Sequence, residues 1–140
     1  MVYHFKVHKV PNGYWAECIE LSGCQTQADS RQELLSKAIE ALNLYLDEPE
    51  NSPILFPLPR PSKAKNVIDV PVHPAIAFSV LLRNYRVKQR LTQKQVADRL
   101  GMRNLYSYQR LERRSNPSLE TLRKLKDVFP DLSVDYVLRD

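Results

Sequence analysis

The side chains best suited to chemistry lie in the N-terminal half of the chain. A metal-dependent nuclease needs several carboxylates around one centre, yet the first predicted strand, Val2 to Val10, contains neither Asp nor Glu. Its two histidines, His4 and His8, are separated by about 13 Å at the ~3.3 Å rise of a strand, which is too far to share one metal ion. We therefore expect no metal site and no cofactor.

The two cysteines, Cys18 and Cys24, do not indicate a reactive centre either. Neither has a His or Cys neighbour at the spacing of a zinc site, and two cysteines are too few to stabilise a small secreted fold through disulfides. No predicted base is near either thiol in the sequence, which argues against nucleophilic catalysis. We expect a cytoplasmic protein that is not an enzyme.

Positive charge is concentrated in the second half of the chain. Residues 1–70 hold 7 Lys or Arg and 9 Asp or Glu, whereas residues 71–140 hold 14 and 7. The stretch from Arg83 to Arg114 alone contains ten basic residues and only two acidic ones, Asp98 and Glu112. A local excess of this size suits a polyanion, because neutralising phosphates releases their condensed counterions.

Alternating apolar and polar residues predict a small sheet at the N-terminus. Asn12-Gly13 supplies a tight turn after the first strand, and the capping box from Ser30 to Glu33 begins a helix whose apolar residues recur at three-to-four spacing. This helix is expected to cover one face of the sheet. The predicted strands are residues 2–10, 14–19, about 23–27 and 66–70, and the helix extends to residue 46.

Prolines separate this domain from a helical one. Residues 49–65 contain five prolines, at positions 49, 53, 57, 59 and 61. This segment is predicted to be an extended connector, because proline fits neither a helix interior nor a central strand. The first domain is expected to end near residue 72. Five short helices are predicted in the remainder, the second capped by Thr92 and ended by Gly101. The expected fold class is α+β, with a βββαβ domain over residues 1–72 and an all-α domain over residues 73–140.

The segment from Leu91 to Met102 resembles the start of a helix-turn-helix unit of the phage-repressor, or Xre, type. Such a unit needs a small buried residue where two helices cross, which is Ala97, a glycine turn, which is Gly101, and a second helix with a polar outer face. The resemblance continues to about residue 138. Between Gly101 and Glu112 the chain has one residue more than the commonest form of the motif.

The resemblance implies that Arg110 reads DNA bases. A guanidinium group can bond a guanine edge with two hydrogen bonds, which discriminates by roughly 1 to 3 kcal/mol. The alternative for Arg110 is an ion pair with Glu112 or Glu120 inside the domain. Counted back from Glu112, Leu105 and Tyr106 also match base-facing positions.

Other polar residues of the two motif helices are expected to contact phosphate as much as bases. Gln93 matches a position that usually touches phosphate. Leu105, Tyr108 and Leu111 share one face of the next helix, and Tyr108 and Leu111 are expected to lie in the core. The full set of predicted DNA contacts is Gln93, Arg103, Asn104, Tyr106, Ser107, Gln109, Arg110 and Arg113.

Four segments of the N-terminal half, namely Gly13 to Glu17, Leu21 to Gln27, Ser30 to Leu34 and Ala38 to Leu42, are similar to the HicB family of antitoxins. Members of that family join a small degenerate ribonuclease-H-like domain to a C-terminal DNA-binding module, so the resemblance covers the whole chain in order. It implies a protein partner, a small basic mRNA-cleaving toxin of the HicA type, whose active surface the N-terminal domain would cover.

The slightly acidic N-terminal half suits a cationic RNA-binding partner, with aromatic side chains as anchors. For Trp15 the alternative is a core position beneath the first helix. The predicted toxin contacts are Tyr3, Tyr14, Trp15, Glu17 and Glu20.

These features together predict an antitoxin that neutralises a HicA-type toxin and binds double-stranded operator DNA to repress its own operon. A homodimer or higher even oligomer is expected, because helix-turn-helix proteins usually bind two half-sites, and the apolar tail from Val128 to Leu138 is the expected dimer surface. No membrane association is expected. Two alternatives remain, a free-standing ligand-sensing Xre-type regulator without a toxin, and a nuclease.

Overall fold

The computed structural model describes residues 1–140, which form two compact units. The sheet unit comprises residues Met1–Leu46, Pro57–His73 and Leu138–Asp140, and the helical unit comprises Asp47–Phe56 and Pro74–Val137. The proline-rich connector is therefore divided, its first part belonging to the helical unit and its second part to the sheet unit.

The sheet unit contains a four-stranded antiparallel sheet, as predicted. Its strands are β1 (Val2–Val10), β2 (Gly13–Cys18), β3 (Gln25–Ala28) and β4 (Val67–Pro71), in the order β3-β2-β1-β4. The turn into β2 depends on Gly13, whose φ is +148° and where a Cβ would collide with the carbonyl oxygen of Ala28. Glycine is required there because β3 approaches the backbone so closely.

One helix, α1 (Arg31–Leu46), covers one face of the sheet. Its first turn is capped by Ser30, whose Oγ accepts a hydrogen bond from the Glu33 backbone N–H at 3.2 Å. The buried stripe is narrower than predicted, since Leu35 is 43% exposed. The core between helix and sheet is formed by Leu34, Ala38, Leu42 and Leu46 from α1 and by Tyr3, Phe5, Val7, Ala16 and Val70 from the strands.

The helical unit contains the five predicted helices. They are α2 (Pro74–Lys88), α3 (Gln93–Arg99), α4 (Leu105–Gln109), α5 (Leu119–Val128) and α6 (Val134–Leu138), with a 3-10 turn over Arg110–Glu112 directly after α4. Helix α2 is central, since every residue from Ile76 to Asn84 is buried. The α+β class predicted from the sequence is confirmed. No helix in the structure has both the length and the apolar character needed to cross a membrane.

Three side chains of the apolar tail, Phe129, Leu132 and Val137, are buried. Phe129 and Leu132 are at most 1% exposed, and Val137 is 3% exposed. The prediction that this tail forms the dimer surface is therefore wrong for these residues, because their side chains already complete the core of their own unit.

A buried carboxylate joins α2 to the 3-10 turn. Glu112 is 1% exposed, and its carboxylate accepts hydrogen bonds from Arg86 Nε at 2.7 Å and Arg86 Nη2 at 3.0 Å, and from Arg83 Nε at 3.4 Å. Arg83 Nη2 donates to the carbonyl oxygens of Glu112 and Pro49, and Arg86 Nη1 donates to that of Leu91. The two arginines and the glutamate thus satisfy one another while also binding three backbone oxygens.

We expect Glu112→Gln to destabilise the helical unit strongly. The substitution keeps the shape of the side chain but leaves two largely buried guanidinium groups without a counter-charge, a change that costs about 3 to 5 kcal/mol. Chemical denaturation followed by circular dichroism measures the loss. Glu120→Gln, at an exposed position on α5, is the control and should change the free energy of unfolding by less than about 1 kcal/mol. Equal stability of the two variants would contradict the assigned role of Glu112.

We also expect both cysteines to resist alkylation in the folded protein. Burial raises the pKa of the Cys18 thiol to about 12 and that of the Cys24 thiol to about 11. At pH 8 the reactive thiolate is therefore reduced by roughly two to three orders of magnitude relative to a free thiol with a pKa near ~8.5. Iodoacetamide labelling read by mass spectrometry should be slow in buffer and fast in denaturant, and labelling at equal rates in both would refute this.

Candidate nucleic-acid interface

The first helix of the motif, α3, has the start and the end that the sequence predicts. Thr92 N donates to Gln95 Oε1 at 2.8 Å, and Thr92 Oγ1 accepts from Gln95 N at 3.1 Å, which completes a capping box. At the other end Gly101 has a φ of +70°, a left-handed conformation that favours glycine. Ala97 is buried, and its carbonyl oxygen accepts from Met102 N at 2.9 Å. These contacts set the sharp turn that leads to α4.

Helix α4 is short and is anchored at its C-terminal end. Tyr108 is fully buried and Leu111 is 8% exposed, so both lie in the core as predicted. Burial and the neighbouring Glu112 carboxylate raise the pKa of Tyr108 far above its usual value. Leu105 does not share their environment and is 41% exposed. The reason is its place in the first turn of α4, whereas the packing against α2 is made through the 3-10 turn at the other end.

Arg110, the first residue of the 3-10 turn that follows α4, is exposed to solvent. Its guanidinium carbon lies 5.9 Å from the centre of the Tyr106 ring, and Tyr106 is itself 57% exposed. Arg110 forms no ion pair, because the carboxylate of Glu112 is directed to Arg83 and Arg86. The alternative in which Arg110 pairs with Glu112 or Glu120 is not observed. A cation–π contact at an exposed site is worth only ~0.5–1 kcal/mol, so the guanidinium remains available to a ligand.

The start of α4 is also exposed. Asn104 caps the helix through Oδ1, which accepts a hydrogen bond from Tyr106 N at 2.7 Å. This oxygen is therefore already hydrogen-bonded, and the side-chain Nδ2 is the atom that could contact DNA. Arg103 is exposed, and Ser107 is exposed and lies close to Tyr106 and Arg110. Five of the eight predicted DNA contacts are exposed between residues 103 and 110, namely Arg103, Asn104, Tyr106, Ser107 and Arg110. The structure brings three of them, Tyr106, Ser107 and Arg110, close together.

The other three predicted contacts are engaged within the helical unit. Gln109 Nε2 donates to Gln93 Oε1 at 3.1 Å, and Gln93 Nε2 donates to the carbonyl oxygen of Glu50 at 2.8 Å. Arg113 Nη1 lies 3.5 Å from Glu50 Oε2. The sequence pattern places Glu50 in a connector and gives no sign of these contacts with residues of the motif. The next arginine, Arg114, binds Asp47 in the same way, with 2.8 Å between Nη2 and Oδ2.

A cavity of about 500 Å³ opens beside α4. Its wall contains the three arginines Arg110, Arg113 and Arg114, together with Tyr106 and the carboxylate of Glu50. Arginine at this density suits an anion, since each guanidinium offers a planar fork of N–H donors. Arg114 was not among the predicted DNA contacts, although it is one of the ten basic residues of the stretch from Arg83 to Arg114.

In the sheet unit, Trp15 and Glu17 lie on the face opposite α1. Strand register pairs Trp15 with His8 and Glu17 with Lys6, and the Trp15 and His8 rings stack with 4.1 Å between their centres. His8 Nε2 lies 3.6 Å from Glu17 Oε1. The alternative that placed Trp15 in the core beneath α1 is therefore not observed.

Glu20 lies on this face but is largely covered. Its Oε2 is 2.7 Å from His4 Nδ1, and its Oε1 accepts from the His4 backbone N–H at 3.0 Å. On the other side of the same ring, His4 Nε2 lies 3.8 Å from Asp69 Oδ1. In the structure no group of three or more His, Cys, Asp or Glu side chains is arranged to hold a metal ion.

The two remaining predicted toxin contacts lie elsewhere. Tyr3 has no exposed surface, and its hydroxyl donates to the carbonyl oxygen of Pro57 at 2.8 Å. The prediction of Tyr3 as a contact residue is wrong, because the alternation of β1 directs it under α1. Tyr14 is partly exposed. Because neighbouring residues of a strand point to alternate faces, Tyr14 lies on the face of the sheet that carries α1, and Trp15 lies on the other.

Comparison with known proteins supports both halves of this description. Residues 82–137 match the helix-turn-helix family. Over 117 residues the chain is 28% identical to Antitoxin HicB 1 of Photorhabdus laumondii subsp. laumondii, an alignment that covers 81% of this chain and 71% of that protein. Residues 82–137 of this chain therefore carry a helix-turn-helix domain, and the chain is similar to a HicB antitoxin over most of its length.

Proposed function

We propose that this protein is the antitoxin of a type II toxin–antitoxin pair. Its sheet unit would cover the active surface of a HicA-type mRNA-cleaving toxin, and its helical unit would bind operator DNA and repress its own operon. The observation that carries the proposal is Arg110, which is exposed and has no ion pair, directly after a helix that is anchored in the core by Tyr108. We further propose that it acts in the cytoplasm and catalyses no reaction.

The DNA-binding arm follows from what the surface of the helical unit offers. Of the ten basic residues between Arg83 and Arg114, Arg83 and Arg86 serve Glu112, and the other eight are exposed. Helix α4 would enter the major groove with Arg110 directed at base edges and Tyr106 and Ser107 beside it. Two copies would read half-sites about one helical turn, ~34–36 Å, apart, which is why we propose a homodimer or higher even oligomer.

The toxin-binding arm is proposed for the sheet face opposite α1. Trp15 offers an aromatic surface, and Glu17 offers a carboxylate that is 45% exposed. Such a pair suits a basic RNA-binding surface, because charge complementarity guides association and a large aromatic ring supplies contact area. The order βββαβ agrees with a degenerate ribonuclease-H-like domain, which we propose as the ancestry of this unit.

For DNA, we expect Arg110→Ala and Arg103→Ala to act differently. Loss of a bidentate base contact at Arg110 should cost about 1 to 3 kcal/mol on the operator and relax sequence preference, with little effect on the salt dependence. Loss of a phosphate contact at Arg103 should weaken all sequences alike and lower the slope of log K against log salt by about 1. Fluorescence anisotropy with the promoter fragment and scrambled DNA separates the two. Unchanged preference in Arg110→Ala would place base reading on other residues.

For the toxin, we expect the product of the adjacent reading frame to co-purify with this chain and to lose its RNA-cleaving activity in the complex. Trp15→Ala combined with Glu17→Lys should weaken neutralisation by at least about 100-fold, the size of a two-residue hot spot. Glu40→Lys, an equal charge change at an exposed position of α1, should leave it intact. A chain that binds the promoter but no neighbouring protein would favour the ligand-sensing regulator instead, and RNA cleavage by this chain alone would favour a nuclease.

A further inference from the structure

The segment Asp47–Phe56 brings two carboxylates to arginines that line the cavity of the helical unit. Glu50 Oε2 is 3.5 Å from Arg113 Nη1, and Asp47 Oδ2 is 2.8 Å from Arg114 Nη2. The backbone of the same segment is held as well, since Gln93 Nε2 binds the carbonyl oxygen of Glu50 and Arg83 Nη2 binds that of Pro49. Each of these contacts lies within the helical unit.

These carboxylates occupy groups that a nucleic-acid backbone would use. Arg113 is one of the predicted DNA contacts, and Arg114 lines the same cavity as Arg110. A carboxylate and a phosphate both present anionic oxygens to a guanidinium fork, so they compete for the same donors. The Arg113 and Arg114 side chains are 61% and 62% exposed, so a phosphate can reach them but must compete with Glu50 and Asp47 for the donors that face these carboxylates.

The contact made by Glu50 is poorly satisfied. Its Oε2 atom is buried and has no hydrogen-bond partner, although Arg113 lies 3.5 Å away. A buried carboxylate oxygen without a hydrogen bond is costly, because it has lost water and gained little in return. Displacing this side chain into solvent would therefore cost little, which is the property expected of a group that must give way to a ligand.

We infer that the cavity beside α4 is a binding site for a backbone phosphate of DNA, and that Glu50 and Asp47 are intramolecular competitors which occupy its arginines in the free protein. The inference rests on the proposed DNA binding of the helical unit. In this inference Arg113 and Arg114 bind phosphate, and the carboxylates of Asp47 and Glu50 lower the affinity of the free protein for DNA.

The test uses the full-length chain and a fluorescent fragment of the promoter upstream of its own gene. Glu50→Gln and Asp47→Asn keep side-chain size and remove one charge each. Each should tighten binding about two- to fivefold, the size of a partly exposed ion pair, and the double variant should tighten it further. Thermal unfolding of every variant confirms that the fold is retained.

The matched control is Glu48→Gln. Glu48 lies between the two competitors in the sequence but forms no ion pair, so the substitution changes net charge equally without releasing an arginine. It should alter affinity by less than about twofold. An equal gain in Glu48→Gln would overturn the inference, because it would reduce the effect to overall charge.

A double-mutant cycle tests the site itself. In an Arg113→Ala background, Glu50→Gln should give no gain, and Arg113→Ala alone should lower the salt slope by about 1. Weaker DNA binding by Glu50→Gln or Asp47→Asn would overturn the inference and make the segment a structural support of the reading surface. If the unmodified chain ignores the promoter at low salt, the proposed DNA binding itself fails. If the unmodified chain binds the promoter and Glu50→Gln, Asp47→Asn and Glu48→Gln bind it with the same affinity as the unmodified chain, the proposed DNA binding stands and the competition by Glu50 and Asp47 is refuted.

Discussion

The helical unit depends on one buried carboxylate. Glu112 neutralises Arg83 and Arg86 of α2 and thereby holds the 3-10 turn that ends α4. A buried charge survives only when its hydrogen bonds are complete, and here the two guanidinium groups share their donors between the carboxylate and nearby carbonyl oxygens. The arrangement leaves Arg110, two residues earlier in the chain, without a carboxylate partner and facing solvent.

The same network explains why the connector has a defined place on the helical unit. Arg83 uses Nη2 to bind the carbonyl oxygen of Pro49 as well as that of Glu112. The backbone at Pro49 is thus tied to the central helix, and Glu50 follows immediately. A structural ion cluster in the core therefore determines which side chains of the acidic segment meet the arginines of the surface.

In the sheet unit, the alternation of the strands gives the two faces of the sheet different surroundings. One face of β1 is closed by α1, and the other carries His4 and His8, each beside a carboxylate. Trp15 owes its partial exposure to its pairing with His8 on that second face. Of the acidic side chains on that face, Glu20 is held by two contacts with His4, at 2.7 and 3.0 Å; a side chain that is already ordered in this way loses less entropy on binding.

Local signals in the sequence were sufficient for the elements of the fold. The alternation of β1, the Ser30 and Thr92 caps and the left-handed Gly101 each act within a few residues, so the four strands, the six helices and the core positions of Tyr108 and Leu111 could all be predicted. The exposed cluster around Arg110 followed from the motif.

Contacts between distant residues were decided by the tertiary structure alone. Nothing near Glu112 in the sequence indicates that its partners are Arg83 and Arg86 rather than Arg110, and the proline-rich pattern around Glu50 gives no sign of its contact with Arg113. Ion pairs are selected by which side chains packing brings within reach, and charge counts record only their number. Tyr3 shows the same limit, because the sequence marks an aromatic residue on a strand but only the placement of α1 decides which face of the sheet is closed.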